Sequence, residues 1–124
     1  ISPYLMKAKQ PYNVSVAAET AAVATIKNIE KSELRIAEII QQRKALMEEL
    51  AQIPWLELYP SQTNFVLCKV VGLSASVVRD ELRRKGILIR YFDKSGLTNH
   101  IRISVGTPKQ NQRLINELKG MKNL

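Results

Sequence analysis

Two arginines interrupt otherwise apolar strand sequence in the stretch GILIRYFDKSGLTNHIRISVGTP, Gly86 to Pro108. A guanidinium is planar, permanently charged and matched in shape to two oxygens of a carboxylate or phosphate. Side chains alternate across a strand. Arg102 and Ser104 therefore face away from Ile101, Ile103 and Val105, and Arg90 points with Leu88, away from Ile87 and Ile89. On neighbouring strands, two such groups converge on one small volume and make a clamp for a dianion. The alternative is that each arginine lies at an exposed strand end or pairs with a local carboxylate such as Asp93.

Other residues with chemical potential are sparse. His100 is the only histidine; it adjoins the Arg102 strand without an evident general-base partner and reads as a surface or strand-edge residue. Trp55 and Tyr59, around Pro54 and Pro60, read as packing at a turn rather than as a stacking platform for bases. Asn64 caps or hydrogen-bonds locally. Cys68 lies in an apolar strand, and one cysteine makes neither an intrachain disulfide nor a zinc site, so it reads as a buried thiol in a reducing compartment. No cluster of His, Cys, Asp and Glu has metal-ligand spacing.

The elements that must hold these residues follow from periodicity. SVAAETAAVATIKN, Ser15 to Asn28, predicts a helix with Ser15 as N-cap and Glu19 in its first turn. Its apolar residues lie nearly all round, more than a small sheet needs, so an exposed apolar surface is expected there. A second helix is expected from about Ser32 to Gln52, with Ile36, Ile39, Ile40, Leu46, Met47, Leu50 and Ile53 in one apolar stripe, ended by Pro54. NFVLCKVV, Asn64 to Val71, reads as a central strand covered on both faces. Ser74 is expected to cap a short helix through about Lys85, with Val77, Val78 and Leu82 inward and Gly86 as its stop. ILIRY and HIRISV are the next strands, joined by a loop too short for a helical crossover and so antiparallel. In TPKQ, Thr107 is the N-cap, Pro108 the first helical residue and Gln110 the partner in a capping box; Leu114, Ile115 and Leu118 line the last helix to about Met121. The fold class is α/β in the α+β two-layer sense: two N-terminal helices, then β-α-β-β-α, with helices packed on a three-stranded sheet in a single domain over residues 1–124.

A net charge of +8 invites a nucleic-acid reading, but the basic residues are scattered, and the densest run, Arg83 to Lys85, shares its helix with Asp80 and Glu81. No apolar run approaches the ~20 residues of a membrane span. The opening ISPYLMKAKQPYNVS has no initiator methionine and no signal pattern, and reads as a cut inside a longer protein.

Four segments in order, KQPYNVS (Lys9 to Ser15), IPWLELYPSQTNFVLCKV (Ile53 to Val70), GILIRYF (Gly86 to Phe92) and IRISVGTP (Ile101 to Pro108), together resemble the C-terminal small domain of the histidinol-phosphate aminotransferase family. These are pyridoxal-phosphate enzymes of the class I/II aminotransferase group, with the fold of a fold-type I transferase. The resemblance covers nearly the whole chain. It implies that Arg102 binds the acidic group of the substrate, the phosphate of histidinol phosphate or a carboxylate of glutamate, and that Arg90 takes the place of the arginine that assists with the phosphate in some members. It implies that Tyr12 and Asn13 lie where the chain returns from a large domain and approach the active site or the dimer partner, and that Asn64 has a structural role beside that site. It further implies that the lysine bonded to pyridoxal 5'-phosphate, the aspartate facing its ring nitrogen and most cofactor contacts belong to a large domain preceding Ile1. No lysine here has the family's Ser-x-x-Lys setting. The segment alone is then expected to bind no cofactor and to be inactive. The complete enzyme would be a homodimer acting on small amino-acid and phosphorylated substrates, without nucleic-acid or membrane partners, in the cytoplasm or a plastid stroma. Two alternatives stay open: the small domain of another class I/II aminotransferase, or a small basic α/β module that binds nucleic acid.

Overall fold

The computed structural model describes residues 3–8 and 14–121; Tyr12 and Asn13 lie outside them. The chain divides into two compact units, Ile1–Arg35 and Ile36–Leu124. In the first unit lie α1 (Pro3–Ala8), which the sequence did not lead us to expect, α2 (Val16–Lys27) and the start of α3 (Ile29–Leu50). Ser15 caps α2 as expected: its Oγ accepts the Ala18 N–H at 3.2 Å. No residue of α2 is buried, and Val16 and Ile26 are largely exposed, in line with the all-round apolar pattern.

The second unit holds β1 (Leu56–Leu58), β2 (Phe65–Val70), α4 (Ala75–Arg84), β3 (Arg90–Tyr91), β4 (His100–Ser104) and α5 (Pro108–Lys119). The sheet has four strands, in the order β1-β2-β4-β3, with every neighbouring pair antiparallel. The three-stranded expectation missed β1, whose three residues are too few to show a period of two. The sheet order makes β2 and β3 parallel with β4 inserted between them, and α4 is the crossover that joins them. β3 is also shorter than the ILIRY run, because Ile87 to Ile89 carry no ladder.

β2 alternates along its length. Val66, Cys68 and Val70 are fully buried, whereas Phe65, Leu67 and Lys69 are only half-buried. It is central but covered on one face, which corrects the expectation of cover on both: its run of apolar letters hides Lys69 and leaves Leu67 on the open side. β4 alternates in phase, with Ile101 and Ile103 buried. The covered face packs against Leu46 and Leu50 of α3, Ala75, Val78 and Leu82 of α4, and Leu114, Ile115 and Leu118 of α5. Val77 points outward, 43% exposed, because the inward positions of α4 follow Ala75 and Val78 at i, i+3 and i+7. Within α3 the stripe is covered only in its C-terminal half. Ile36, Ile39 and Ile40 are exposed, and Arg43 takes a buried position and donates from Nη1 to the Thr63 carbonyl at 2.9 Å.

Turn chemistry delivers the strands. Gly86 has φ +74°, and the Ile87 and Gly86 N–H groups close back on the Leu82 and Arg83 carbonyls, the αL stop expected at the end of α4. Ser74 occupies the N-cap of α4 but supplies no capping bond. Asn99, just before β4, does so instead. Its Oδ1 accepts the Ala75 N–H at 2.8 Å, and its Nδ2 donates to the Leu73 carbonyl at 3.0 Å and to the Val70 carbonyl. The Thr107–Gln110 capping box forms as expected. Gly106 before it leaves room for the box: a Cβ there would meet Gln110 Oε1 at 2.9 Å and Gln110 Cβ at 3.0 Å, so the Gln110 side chain would have to shift.

Burial pushes the Cys68 thiol up to about 12, because desolvation penalises the thiolate. The unfolded chain ionises near ~8.5, so the thiol's contribution to stability is complete below that pH and is lost as pH rises toward 12. At pH 8 an alkylating reagent should leave Cys68 unmodified in the native protein and react stoichiometrically in denaturant, as intact mass reports. Rapid native labelling would contradict the burial.

Candidate anion-binding site

The open face of the sheet is built by the same alternation that builds the core. The β2–β4 register pairs Phe65 with Ser104, Leu67 with Arg102 and Lys69 with His100. The β3–β4 register sets Arg90 directly opposite Arg102. Residues opposed across an antiparallel pair share a face, with Cα atoms about 4.5–5.5 Å apart. The two arginines singled out in the sequence are thus brought together side by side. Leu88, which the alternation placed with Arg90, is exposed, and Ile87 and Ile89 pack against the core.

Like charges directly opposite one another destabilise a sheet. No protein carboxylate relieves this pair: among the described residues neither arginine forms an ion pair, so the Asp93 alternative is not realised. Arg102 is half-buried, and its Nε is enclosed without a hydrogen-bond partner. Each guanidinium instead lies over an aromatic ring. Arg102 Cζ is 5.0 Å from the Phe65 centroid and Arg90 Cζ 5.7 Å from that of Phe92. An unneutralised pair of planar cations, Arg102 half-buried and Arg90 exposed at the start of β3, is an arrangement suited to a phosphate or carboxylate.

The neighbouring positions are differently occupied. Lys69 is neutralised by Glu57 at 3.1 Å, so it adds little to the field over the arginines. His100 is not a bare edge residue. It is half-buried, and its Nε2 is 3.1 Å from Tyr59 Oη with the two rings 5.7 Å apart. Sequence spacing could not show that pair, because β1 was not visible as a strand. Trp55 packs against the core as expected, whereas Tyr59 packs on His100. Asn64 is exposed; its carbonyl accepts the Val105 N–H at 2.9 Å, and its side chain makes no hydrogen bond among the described residues. It immediately precedes β2, beside the Phe65–Ser104 pair. Among the described residues no lysine is buried and no group of His, Cys, Asp and Glu could hold a metal ion.

If the opposed arginines are a cost to the fold, replacing one relieves it. Arg90→Thr should leave stability unchanged or raise it by up to about 1 kcal/mol. The difference from the wild type should shrink as salt screens the pair. Urea unfolding at low and high ionic strength measures both; a clear loss of stability at low salt would show that Arg90 has a stabilising partner.

The model of the class I and II aminotransferases matches residues 2–118. The chain is 46% identical over 119 residues to the histidinol-phosphate aminotransferase of Roseiflexus castenholzii, covering 94% of this chain and 32% of that protein. It is 42% identical over 120 residues to the chloroplastic histidinol-phosphate aminotransferase of Nicotiana tabacum, covering 96% of this chain and 29% of the relative. Among solved structures, the histidinol-phosphate aminotransferase of Clostridium acetobutylicum superposes with a TM-score of 0.81 at 32% identity, over 95% of this chain and 36% of that one. A decarboxylase from Sulfurospirillum multivorans reaches 0.79 at 26% identity, over 94% and 31%. The chain spans about a third of the length of the relatives it matches.

Proposed function

The chain belongs to the class I and II aminotransferases, and from that premise we propose that it is the C-terminal substrate-binding domain of a histidinol-phosphate aminotransferase. The complete enzyme would move an amino group between glutamate and imidazoleacetol phosphate, as a homodimer whose large domain precedes this segment. One observation carries the reading: Arg90 and Arg102 stand opposite each other on an open sheet face, and among the described residues no carboxylate pairs with either. Arg102, half-buried beside Leu67 and Phe65, is the anchor common to both substrates, because a carboxylate or a phosphate can each accept its planar fork. Arg90 is more exposed and adds a second fork that a phosphate, with three outward oxygens, can use. Tyr12 and Asn13 precede α2 and are proposed to approach this site or the dimer partner; Asn64 supports the start of β2 beside it.

Pyridoxal phosphate supplies the electron sink that amino-group transfer requires. The residues described here do not fit its attachment. Such a lysine needs a desolvated or charge-tuned setting, whereas the described lysines are exposed or half-buried, and Lys69, Lys85 and Lys119 are tied to Glu57, Glu117 and Glu49. The part of the reaction assigned to this chain is to bind the acidic end of the substrate and hold it in register. A nucleic-acid module fits less well, because the Phe65 ring, the open-face aromatic of β2, is covered by the Arg102 guanidinium rather than free to stack a base.

In the complete enzyme, Arg102→Ala should lower kcat/KM by roughly 30-fold to several thousand-fold for both half-reactions, since losing one partner of a desolvated charge pair costs about 2–5 kcal/mol. Arg102→Lys should also be impaired, because it keeps the charge but not the fork. Arg90→Ala should weaken the phosphorylated substrate more than glutamate, and neither variant should much alter cofactor affinity. Half-reaction kinetics for each substrate decide this; near-wild-type values in a folded Arg102→Ala enzyme would refute the assignment. For this chain alone, borohydride reduction with pyridoxal phosphate should trap no stoichiometric adduct at a unique lysine, and a single saturable site by peptide mapping would overturn the assignment of that lysine to the large domain.

A further inference from the structure

Among the described residues three arginines lie over aromatic rings, and they differ in what meets the guanidinium edge. Arg79 Cζ is 5.0 Å from the Tyr91 centroid, and its edge is filled by Asp80: Nε and Nη2 each donate to one carboxylate oxygen at 2.8 Å. The Asp80 carboxyl is correspondingly held below the usual carboxylate range, first by that hydrogen bond. Arg102 over Phe65 and Arg90 over Phe92 repeat the ring beneath the cation, at 5.0 and 5.7 Å, but among the described residues no carboxylate meets their edges.

The distinction is chemical. A ring attracts the cation electrostatically through its π quadrupole and takes none of its in-plane N–H donors. A carboxylate fixes the same group equally well but takes two donors and cancels the charge. A long, flexible arginine that must be oriented and still available to an incoming anion therefore needs the first kind of support. Phe65 is placed for this by the β2–β4 register, diagonal to Arg102 on the open face, and Phe92 follows Arg90 by two residues. Ring seating also limits the ways two opposed cations can swing apart to escape their mutual repulsion.

We propose that Phe65 and Phe92 are positioning residues of the anion site, holding Arg102 and Arg90 by their faces and leaving the N–H edges for the phosphate or carboxylate of the ligand. The proposal rests on the anion-site reading above, and Arg79, ring-seated with its edge already occupied by Asp80, is its internal control.

The test uses the full 124-residue chain and inorganic phosphate as probe, observed through arginine side-chain Nε–Hε resonances at constant ionic strength. In the wild type, the Arg102 and Arg90 signals should carry a ring-current shift and move on phosphate addition, while that of Arg79 stays still. Phe65→Leu should abolish the shift at Arg102 and weaken phosphate binding by about fivefold, with Phe65→Tyr restoring both. Phe92→Leu should act on the Arg90 signal alone; because Phe92 lies beyond β3 and outside the core, this variant keeps the test open if Phe65→Leu does not fold. Equal phosphate affinity in the wild type and the leucine variants would overturn the positioning role while leaving the anion site standing. No response of either arginine in the wild type would overturn the anion site, and the positioning role with it.

Discussion

The antiparallel pairing of β2 with β4 is the constraint on which the rest of the second unit depends. Its register commits every side chain of both strands to one face or the other. Val66, Cys68, Val70, Ile101 and Ile103 go to the helices, and Phe65, Leu67, Lys69, His100, Arg102 and Ser104 go to the open side. A slip of one residue would exchange the sets and drive Arg102 and Lys69 into the core. Fully burying one such aliphatic side chain is worth about 1.5–3 kcal/mol, and burying an unpaired charge costs more than that. The register is therefore held by several residues at once, and the position of Arg102 is a by-product of core formation.

A stable core lets the fold carry an arrangement that is locally unfavourable. Arg90 opposite Arg102 is a like-charge pair, and the enclosed Arg102 Nε lacks an acceptor among the described residues. Elsewhere in the same unit many polar groups are satisfied, although Trp55 Nε1 and His100 Nδ1 are also enclosed without a partner among the described residues. Asn99 fills all its main bonding capacity between β2, α4 and β4, Arg43 reaches the Thr63 carbonyl, and Lys69, Lys85 and Lys119 each find a glutamate. Of the three enclosed side-chain atoms without a partner among the described residues, Arg102 Nε is the one that belongs to a permanently charged group, and it lies on the open face opposite Arg90, where a site that must receive charge would leave charge uncompensated.

The short β3 depends on geometry supplied from both of its ends. Gly86 ends α4 in the left-handed conformation and turns the chain toward β4, and Asn99 ties the start of β4 to the first turn of α4. Between these two fixed points a strand of two residues is enough to hold Arg90 in register with Arg102. Asn99 had no prominence in the sequence, where a Ser at the N-cap position satisfied the usual expectation. Its role exists only because the loop before β4 passes the start of α4.

By itself the sequence determined whatever depends on neighbours along the chain. The 3.6- and 2-residue periods, the Ser15 and Thr107 caps, the Gly86 stop and the alternation that puts Arg90 and Arg102 opposite Ile89 and Ile101 across their strands are all local, and they were legible with the correct α+β class. The resemblance of four ordered segments to the aminotransferases is likewise carried by the sequence alone. What only the tertiary structure decided depends on pairings between distant segments. These are the fourth strand β1, the exposure of Ile36, Ile39 and Ile40, the open face of β2, the Tyr59–His100 contact and the seating of Arg102 on Phe65. An apolar residue states that burial is favourable, but whether another element arrives to cover it, and which charge lies beside which ring, is fixed by packing across the sheet.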